Sequence, residues 1–137
     1  KSNSIDESSV VLATDATALS QGETVYQQNC AQCHGKLGEG GIGPNMTDEY
    51  WIHGGSIQDV FKTVKYGVPA KGMIPWESQL TPAQMQAVSS YILTNLVGTN
   101  PPNAKEPQGE LHVPEDGGTE EAKADSSGEN TQDLVSN

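Results

Sequence analysis

The chain is poor in the residues that build a large hydrophobic core. Only 34% of its 137 residues are apolar, 5% are aromatic, and Phe61 is the single phenylalanine. The 15 glycines and 8 prolines further limit regular structure. This length suits one domain with a small protein-only core, so a bulky buried group would supply much of the missing apolar volume.

Basic residues are scarce, with 7 Lys and Arg against 18 Asp and Glu, for a net charge of −11. Residues 20–98 carry six acidic and four basic side chains, whereas residues 99–137 carry nine acidic and two basic ones. No basic patch is available to neutralise phosphates, which argues against a nucleic-acid partner. The acidic end could steer a basic partner, although a solvated tail is the favoured interpretation.

The sequence also lacks a signal peptide and any apolar run long enough to span a bilayer. Because it begins at Lys1 rather than Met, we expect a processed or excised fragment. Any contact with a membrane would then come from a missing anchor or from partner subunits.

Only two cysteines are present, and they stand in the pattern Cys-Ala-Gln-Cys-His that ends at His34. Cys30 and Cys33 lie one helical turn apart, where two thiols can reach the two vinyl groups of a haem and deliver the histidine beneath the iron. A thioredoxin-like redox pair would need a βαβ context, and zinc would need more ligands. The pattern therefore predicts covalent haem c, with a thiol or disulfide pair and zinc as alternatives.

The first helix is predicted over residues 21–33, with Ser20 as N-cap and Glu23 completing a capping box. Gly22 and Tyr26 share one face of it. A glycine there weakens the helix by about 1 kcal/mol relative to alanine. Either another helix approaches closely at this point, or Gly22 is an ordinary first-turn glycine.

Residues 35–45 contain five glycines and a proline and are predicted to form a loop against a flat ligand. The carbonyl of Pro44 is the candidate acceptor for the second ring nitrogen of His34. After this loop a short helix is predicted from Asp48 to about His53, with Thr47 as N-cap.

Two further helices are predicted. The first starts at Ser56, ends at Tyr66 and Gly67, and buries Ile57, Val60, Phe61 and Val64. The second starts at Thr81 with a proline at the first position and a glutamine at the third, which is a clear capping box. It carries an apolar stripe, ends at Gly98, and is the predicted partner of the Gly22 and Tyr26 face.

Three methionines compete for the position of a second iron ligand. Met73 lies on an irregular loop and is the favoured candidate, because a thioether suits haem iron and raises its potential. Met85 lies in a helix, where a core role is expected. Met46 follows the glycine loop and is the candidate for a haem-wall residue. His53 as ligand, or an open sixth position, are the alternatives.

Together these features resemble a class I cytochrome c domain. Residues 43–55 (Gly-Pro-Asn-Met-Thr-Asp-Glu-Tyr-Trp-Ile-His-Gly-Gly) and 66–76 (Tyr-Gly-Val-Pro-Ala-Lys-Gly-Met-Ile-Pro-Trp) resemble more narrowly the haem domains of the dihaem subunit of cbb-type haem-copper oxidases. Pro-Gln-Gly-Glu at 107–110 belongs to the same likeness, which covers about residues 10–112.

The resemblance implies an all-α, small cytochrome c fold of three to five helices around one covalent haem, with flexible extensions at both ends. Composition divides the chain into a linker (1–19), a monohaem domain (20–98) and an acidic tail (99–137) with expected disorder after about 114. The short apolar cluster at residues 10–12 of the linker could alternatively pack along the domain. The implied cofactor-binding residues are Cys30, Cys33, His34, Pro44, Met46, Trp51, Tyr66, Met73 and Trp76. Of these, His34 and Met73 are the implied iron ligands, and Trp51 or Trp76 would reach a haem propionate.

The function implied by the resemblance is one-electron transfer in a respiratory chain, without substrate chemistry at this haem. The implied partners are oxidase core subunits and an upstream electron donor, on the periplasmic or outer face of a bacterial membrane. The resembled subunit has two haem motifs and a membrane span, whereas this sequence has one haem motif and no membrane span. An excised domain, a fused domain and a free carrier therefore stay open, as do a dehydrogenase haem domain and a five-coordinate haem that binds a gas or peroxide.

Overall fold

The computed structural model describes residues 5–113, which are mostly helical. The helices are α1 (Ala16–Val25), α2 (Ala31–His34), α3 (Ile57–Tyr66) and α4 (Pro82–Tyr91), with π-helical turns at Tyr26–Cys30 and Ile92–Leu96 and a 3₁₀ turn at Pro69–Lys71. Strands β1 (Tyr50–Trp51) and β2 (Glu110–Leu111) pair antiparallel. The predicted helical class is confirmed. No helix within residues 5–113 has both the length and the apolar character needed to cross a bilayer.

Helix α1 begins earlier than predicted. Asp15 is its N-cap, and its carboxylate accepts a hydrogen bond from the backbone N–H of Ala18 at 3.1 Å. The predicted capping box is wrong, because Ser20 and Glu23 both lie inside the helix. The Asp15 carboxylate pairs one of the free N–H groups of the first turn, which favours a helix that begins directly after it.

The segment before α1, which was expected to be a linker, packs along the helices. Val10 is only 1% exposed and belongs to the core. The backbone N–H of Ala13 donates to the Ser90 hydroxyl at 2.9 Å, and Lys65 forms an ion pair with Glu7 at 3.1 Å. The alternative that the apolar cluster at residues 10–12 packs along the domain is therefore correct for Val10. Periodicity could not indicate the polar contacts, because the segment has no regular secondary structure of its own.

The close helix contact predicted at Gly22 is confirmed. A Cβ atom at Gly22 would fall on the carbonyl oxygen of Ala87 and lie 2.7 Å from Tyr91 Cβ. One turn later the buried ring of Tyr26 lies 5.7 Å from the ring of Tyr91. Because Gly22 has no side chain, the backbones of α1 and α4 can come into contact at this point.

The starts of α3 and α4 follow the prediction. Ser56 caps α3 by accepting from the N–H of Asp59 at 3.0 Å. Thr81 and Gln84 form the predicted capping box, with reciprocal hydrogen bonds of 3.1 and 2.8 Å. The apolar faces of α1, α3 and α4 meet in one core, whose buried members include Val25, Phe61, Val64, Met85, Val88, Ile92 and Leu96.

The short helix predicted after Thr47 is wrong. The Asp48 carboxylate accepts a hydrogen bond from the N–H of Tyr50 at 2.9 Å, which is an alternative to helical pairing. Tyr50 and Trp51 then form β1, opposite Leu111 and Glu110. The strand partner lies about sixty residues away, so local sequence could not indicate this pairing.

Residues 99–113, predicted to be part of a tail, return to the domain. The N–H of Lys105 donates to the carbonyl of Glu39 at 2.8 Å. The N–H of His112 donates to the backbone carbonyl of Glu49 at 2.9 Å. The predicted disorder after about 114 lies outside the described residues.

The two candidate caps of α1 can be separated by alanine substitution. We expect Asp15→Ala to lower the free energy of unfolding by about 0.5–2 kcal/mol, because an N-cap acceptor is lost. Ser20→Ala, on the exposed side of the same helix, should change it by less than about 0.5 kcal/mol. Urea denaturation of both variants measures the difference, and the reverse order would contradict Asp15 as the cap.

Gly22→Ala tests the contact between α1 and α4. Alanine favours the helix by about 1 kcal/mol, but its methyl group would collide with backbone of α4, and overpacking costs about 1–3 kcal/mol. We expect a net loss of stability in denaturant titrations. Glu23→Ala, at the neighbouring exposed position, is the control. A Gly22→Ala protein as stable as the original would show that the helices can separate without cost.

Candidate functional site

A cavity of about 530 Å³ lies between α2, the glycine loop, α3 and the loop after it. Its size is within the usual range for a small-molecule or cofactor site. All but one of the predicted cofactor-binding residues line it: Cys30, Cys33, His34, Pro44, Met46, Trp51, Met73 and Trp76. Residues distant in sequence are thus brought to a single cavity.

Tyr66 is the exception among the predicted site residues. It lies at the end of α3, is 42% exposed, and donates a hydrogen bond from its hydroxyl to Glu7 at 2.8 Å. The structure does not place it among the residues that line the cavity. Tyr66 instead helps to attach the segment before α1 to α3.

A π-helical turn leads into the cysteine pair. It covers Tyr26–Cys30, so one extra residue enters the helix directly before α2. The Tyr26 hydroxyl donates to the carbonyl of Gly35 at 2.6 Å, which joins the turn before the motif to the residue after it. Such turns are frequent at functional sites, but the sequence has no marker for this one.

The environment of Cys30 disfavours the thiolate form of its side chain. Its side chain is buried, and burial raises the pKa of the Cys30 thiol to about 12, with the neighbouring Cys33 as the smaller cause. Redox-active cysteines instead have lowered pKa values in exposed, positively charged surroundings. The thiol redox alternative therefore receives no support from this geometry.

His34 is held through one ring nitrogen. Its Nδ1 lies 2.9 Å from the carbonyl oxygen of Pro44, an acceptor, so Nδ1 carries the proton and Nε2 keeps its lone pair. Burial lowers the pKa of His34, the hydrogen bond to Pro44 opposes this, and the positive charge of Lys105 lowers it further. The result is a neutral imidazole with a free Nε2, which is the form that binds metal ions.

The glycine loop lies directly against this imidazole. A Cβ atom on Gly43 would approach His34 Cε1 to 2.6 Å, and the N–H of Gly43 donates to the Cys33 carbonyl at 2.8 Å. The N–H of Gly40 donates to the His34 carbonyl at 2.7 Å. The loop therefore fixes both the backbone and the ring of His34.

Met73 reaches the cavity from an ordered hairpin. Val68 and Met73 exchange backbone hydrogen bonds of 2.8 and 3.2 Å, and Gly72 turns the chain with φ of 90°. The N–H of Trp76 donates to the carbonyl of Val64 at 3.1 Å and attaches this loop to α3. Backbone contacts thus present the Met73 thioether from a fixed position.

The competing candidates occupy different places. Met46 is buried and lines the cavity, whereas Met85 is buried in the core and is absent from its lining. His53 is exposed and also lines the cavity, so it stays an alternative ligand to Met73.

The lining residues that the sequence interpretation did not anticipate include Asn29, Lys105 and Gln108. The last two come from the segment before β2, which is held near the cavity by the β1–β2 pairing and by hydrogen bonds from Lys105 to Glu39 and from Asn45 to Lys105. Their position depends on long-range contacts, for which the sequence has no local signal.

This set of residues fits a haem. It combines two thiols on one short helical segment, a neutral imidazole with free Nε2, a thioether, and apolar walls from residues such as Val60 and Ile92. Nitrogen and thioether donors are the axial ligands of c-type haems. The imidazole of His34 and the thioether of Met73 could supply these two donors.

Comparison with known proteins gives one family. The sequence profile described as cytochrome c oxidase, cbb3-type, subunit III matches residues 17–92. The subunit FixP of a cbb3-type cytochrome c oxidase from Sinorhizobium medicae is 37% identical over 101 residues, covering 67% of this chain and 35% of that protein. The subunit CcoP from Cereibacter sphaeroides is 39% identical over 82 residues, covering 57% and 28%. The chain thus spans about a third of the length of these relatives.

Two solved cytochromes have a similar fold. Cytochrome cL from Methylophaga aminisulfidivorans matches with a TM-score of 0.54 and 27% identity, covering 58% of this chain and 53% of that one. Cytochrome cL from Hyphomicrobium denitrificans matches with a TM-score of 0.52 and 31% identity, covering 55% and 45%. These likenesses confirm the predicted small cytochrome c fold.

Gly43→Ala tests the contact between the glycine loop and the imidazole. The new methyl group would displace the His34 ring, so we expect the free energy of unfolding to fall by about 1–3 kcal/mol and the Nδ1–H proton resonance of His34 to shift. Gly41→Ala, whose Cβ would meet only the Cys33 carbonyl at 3.1 Å, is the milder control in the same loop. Equal behaviour of the two variants would show that the loop does not fix the ring.

Proposed function

The chain belongs to the cbb3-type cytochrome c oxidase subunit III family, and from this premise we propose that it is a one-electron transfer domain with one covalent haem c. The observation that supports this most strongly is a single cavity lined by both cysteines, His34 and Met73. A haem bound there supplies an iron that alternates between its ferric and ferrous forms.

In this proposal Cys30 and Cys33 form the two thioether bonds to the porphyrin. His34 binds the iron through Nε2, while Pro44 keeps the proton on Nδ1. A hydrogen bond of this kind fixes the orientation of a ligating imidazole and makes it a stronger donor. The residues around the motif would thus fix the orientation in which His34 binds the iron.

Met73 would be the second side chain to hold the iron, together with His34. An iron held by both side chains would be shielded from oxygen and peroxide, which is why we propose electron transfer rather than substrate chemistry. A thioether ligand also raises the reduction potential. Met46 contributes to the cavity wall, and Trp51 or Trp76 would donate an indole N–H to a propionate.

Exposed apolar side chains border the same cavity. Ile42 is 81% exposed, Ile52 47% and Ile74 46%. A small apolar contact of this kind suits the weak, transient docking of redox proteins. The electron would pass between this side of the domain and a docked partner.

The relatives' names point to the partners. Because they are subunits of cbb3-type cytochrome c oxidases, we propose that this domain exchanges electrons with an upstream donor and with oxidase core subunits. We place it on the periplasmic or outer face of a bacterial membrane, where haem is attached to Cys-x-x-Cys-His. Membrane contact would come through partner subunits or through sequence beyond this chain.

Met73→Ala is the direct test of the proposed ligation. We expect the methionine-to-iron charge-transfer band of the ferric protein to disappear and the reduction potential to fall, because the thioether ligand is lost. Met85→Leu, which changes a core methionine outside the cavity lining, should keep the band. His53→Ala should keep it too.

Two results would contradict the proposal. If the band persists in Met73→Ala, another side chain binds the iron. If the unmodified ferrous protein binds carbon monoxide rapidly, the sixth position is open, and the gas-binding or peroxide-binding alternative is favoured.

A further inference from the structure

Asn45 follows Pro44 directly and is only 8% exposed. Its side-chain oxygen accepts two hydrogen bonds from Thr47, one from the backbone N–H at 2.8 Å and one from the hydroxyl at 2.7 Å. Its amide nitrogen donates to the carbonyl of Lys105 at 3.0 Å. Both ends of this buried amide are therefore engaged.

These bonds join three parts of the chain. The carbonyl of Thr47 accepts from the N–H of Gly98, just after the second π-helical turn, at 2.7 Å. The N–H of Lys105 donates to the carbonyl of Glu39, a residue of the glycine loop, at 2.8 Å. Asn45 thus connects the glycine loop, the end of the terminal helix and the segment before β2.

The connection reaches His34 through one peptide group. The carbonyl of Pro44 and the N–H of Asn45 belong to the same planar peptide unit, so neither can rotate without the other. That carbonyl is the acceptor for His34 Nδ1–H. A buried polar side chain that loses a partner is costly, so the Asn45 network favours one orientation of this peptide.

We propose that Asn45 is a positioning residue for the proximal ligand. By holding the Pro44 carbonyl on Nδ1–H, it fixes the plane of the His34 imidazole and the strength of its hydrogen bond. The inference rests on the proposed function, since it concerns His34 as an iron ligand. A firm hydrogen bond makes the imidazole a stronger donor and stabilises ferric iron. A loosened one should therefore raise the reduction potential.

Thr47 offers a matched pair of variants. Thr47→Val removes the hydroxyl that donates to Asn45 with little change in volume, whereas Thr47→Ser keeps that hydroxyl. Asn45→Ala removes the network at its centre. Ser90→Ala is the stability control, because it removes the hydroxyl that accepts a hydrogen bond from the N–H of Ala13, at a residue that does not line the cavity.

The experiment uses the haem-loaded chain and two readouts, the reduction potential and the proton shifts of the haem methyl groups in the ferric protein. The methyl shifts report the plane of the axial imidazole. We expect Thr47→Val and Asn45→Ala to raise the potential and redistribute the methyl shifts. Thr47→Ser and Ser90→Ala should match the unmodified protein in both. If Asn45→Ala does not fold, the Thr47 pair decides.

One result would overturn the inference. If Thr47→Val and Asn45→Ala are less stable but leave the potential and the methyl shifts as in Ser90→Ala, Asn45 is only structural and the inference is overturned. A failure of the proposed function is a different result. The unmodified protein would then lack the spectrum of a histidine- and methionine-ligated haem, and the inference would fail with it.

Discussion

The hydrogen bond between His34 Nδ1 and the Pro44 carbonyl is the constraint on which the rest of the site depends. It selects the tautomer whose Nε2 is free, and it requires the glycine loop to lie against the ring. Glycine suits position 43 because a Cβ atom there would meet the imidazole and displace it. The glycine-rich composition excludes regular secondary structure and lets the loop lie against the ring. The loop can therefore hold His34 at Nδ1 while Nε2 stays free.

The shortage of apolar residues has a matching structural consequence. The protein core is concentrated where α1 and α4 meet across Gly22, and the apolar walls of the cavity extend that core toward the cysteine motif. A cofactor in the cavity would complete the hydrophobic interior that the side chains leave small. Folding and cofactor binding would then be coupled, because a ligand that binds only the folded chain stabilises it.

Sequence reasoning succeeded where the signal was local. The capping box at Thr81, the close contact at Gly22 and the hydrogen bond from His34 to Pro44 each depend on neighbouring residues or on a simple steric rule. It failed where distant residues decide the local conformation. β1 replaced the short helix predicted after Thr47, because β2 supplies the strand partner, and Val10 joined the core from a segment without periodicity. Asn45 was placed in the glycine loop, but its hydrogen bond to Lys105 was not anticipated, since that partner is remote in sequence.

The central claim is that one haem is bound covalently through Cys30 and Cys33 and ligated by His34. Peptide mapping of the exported protein by mass spectrometry tests it most directly. The account predicts one haem per chain, carried by the single peptide that contains both cysteines and His34. A folded protein that is colourless, free of iron and unmodified at both cysteines after correct export would contradict it.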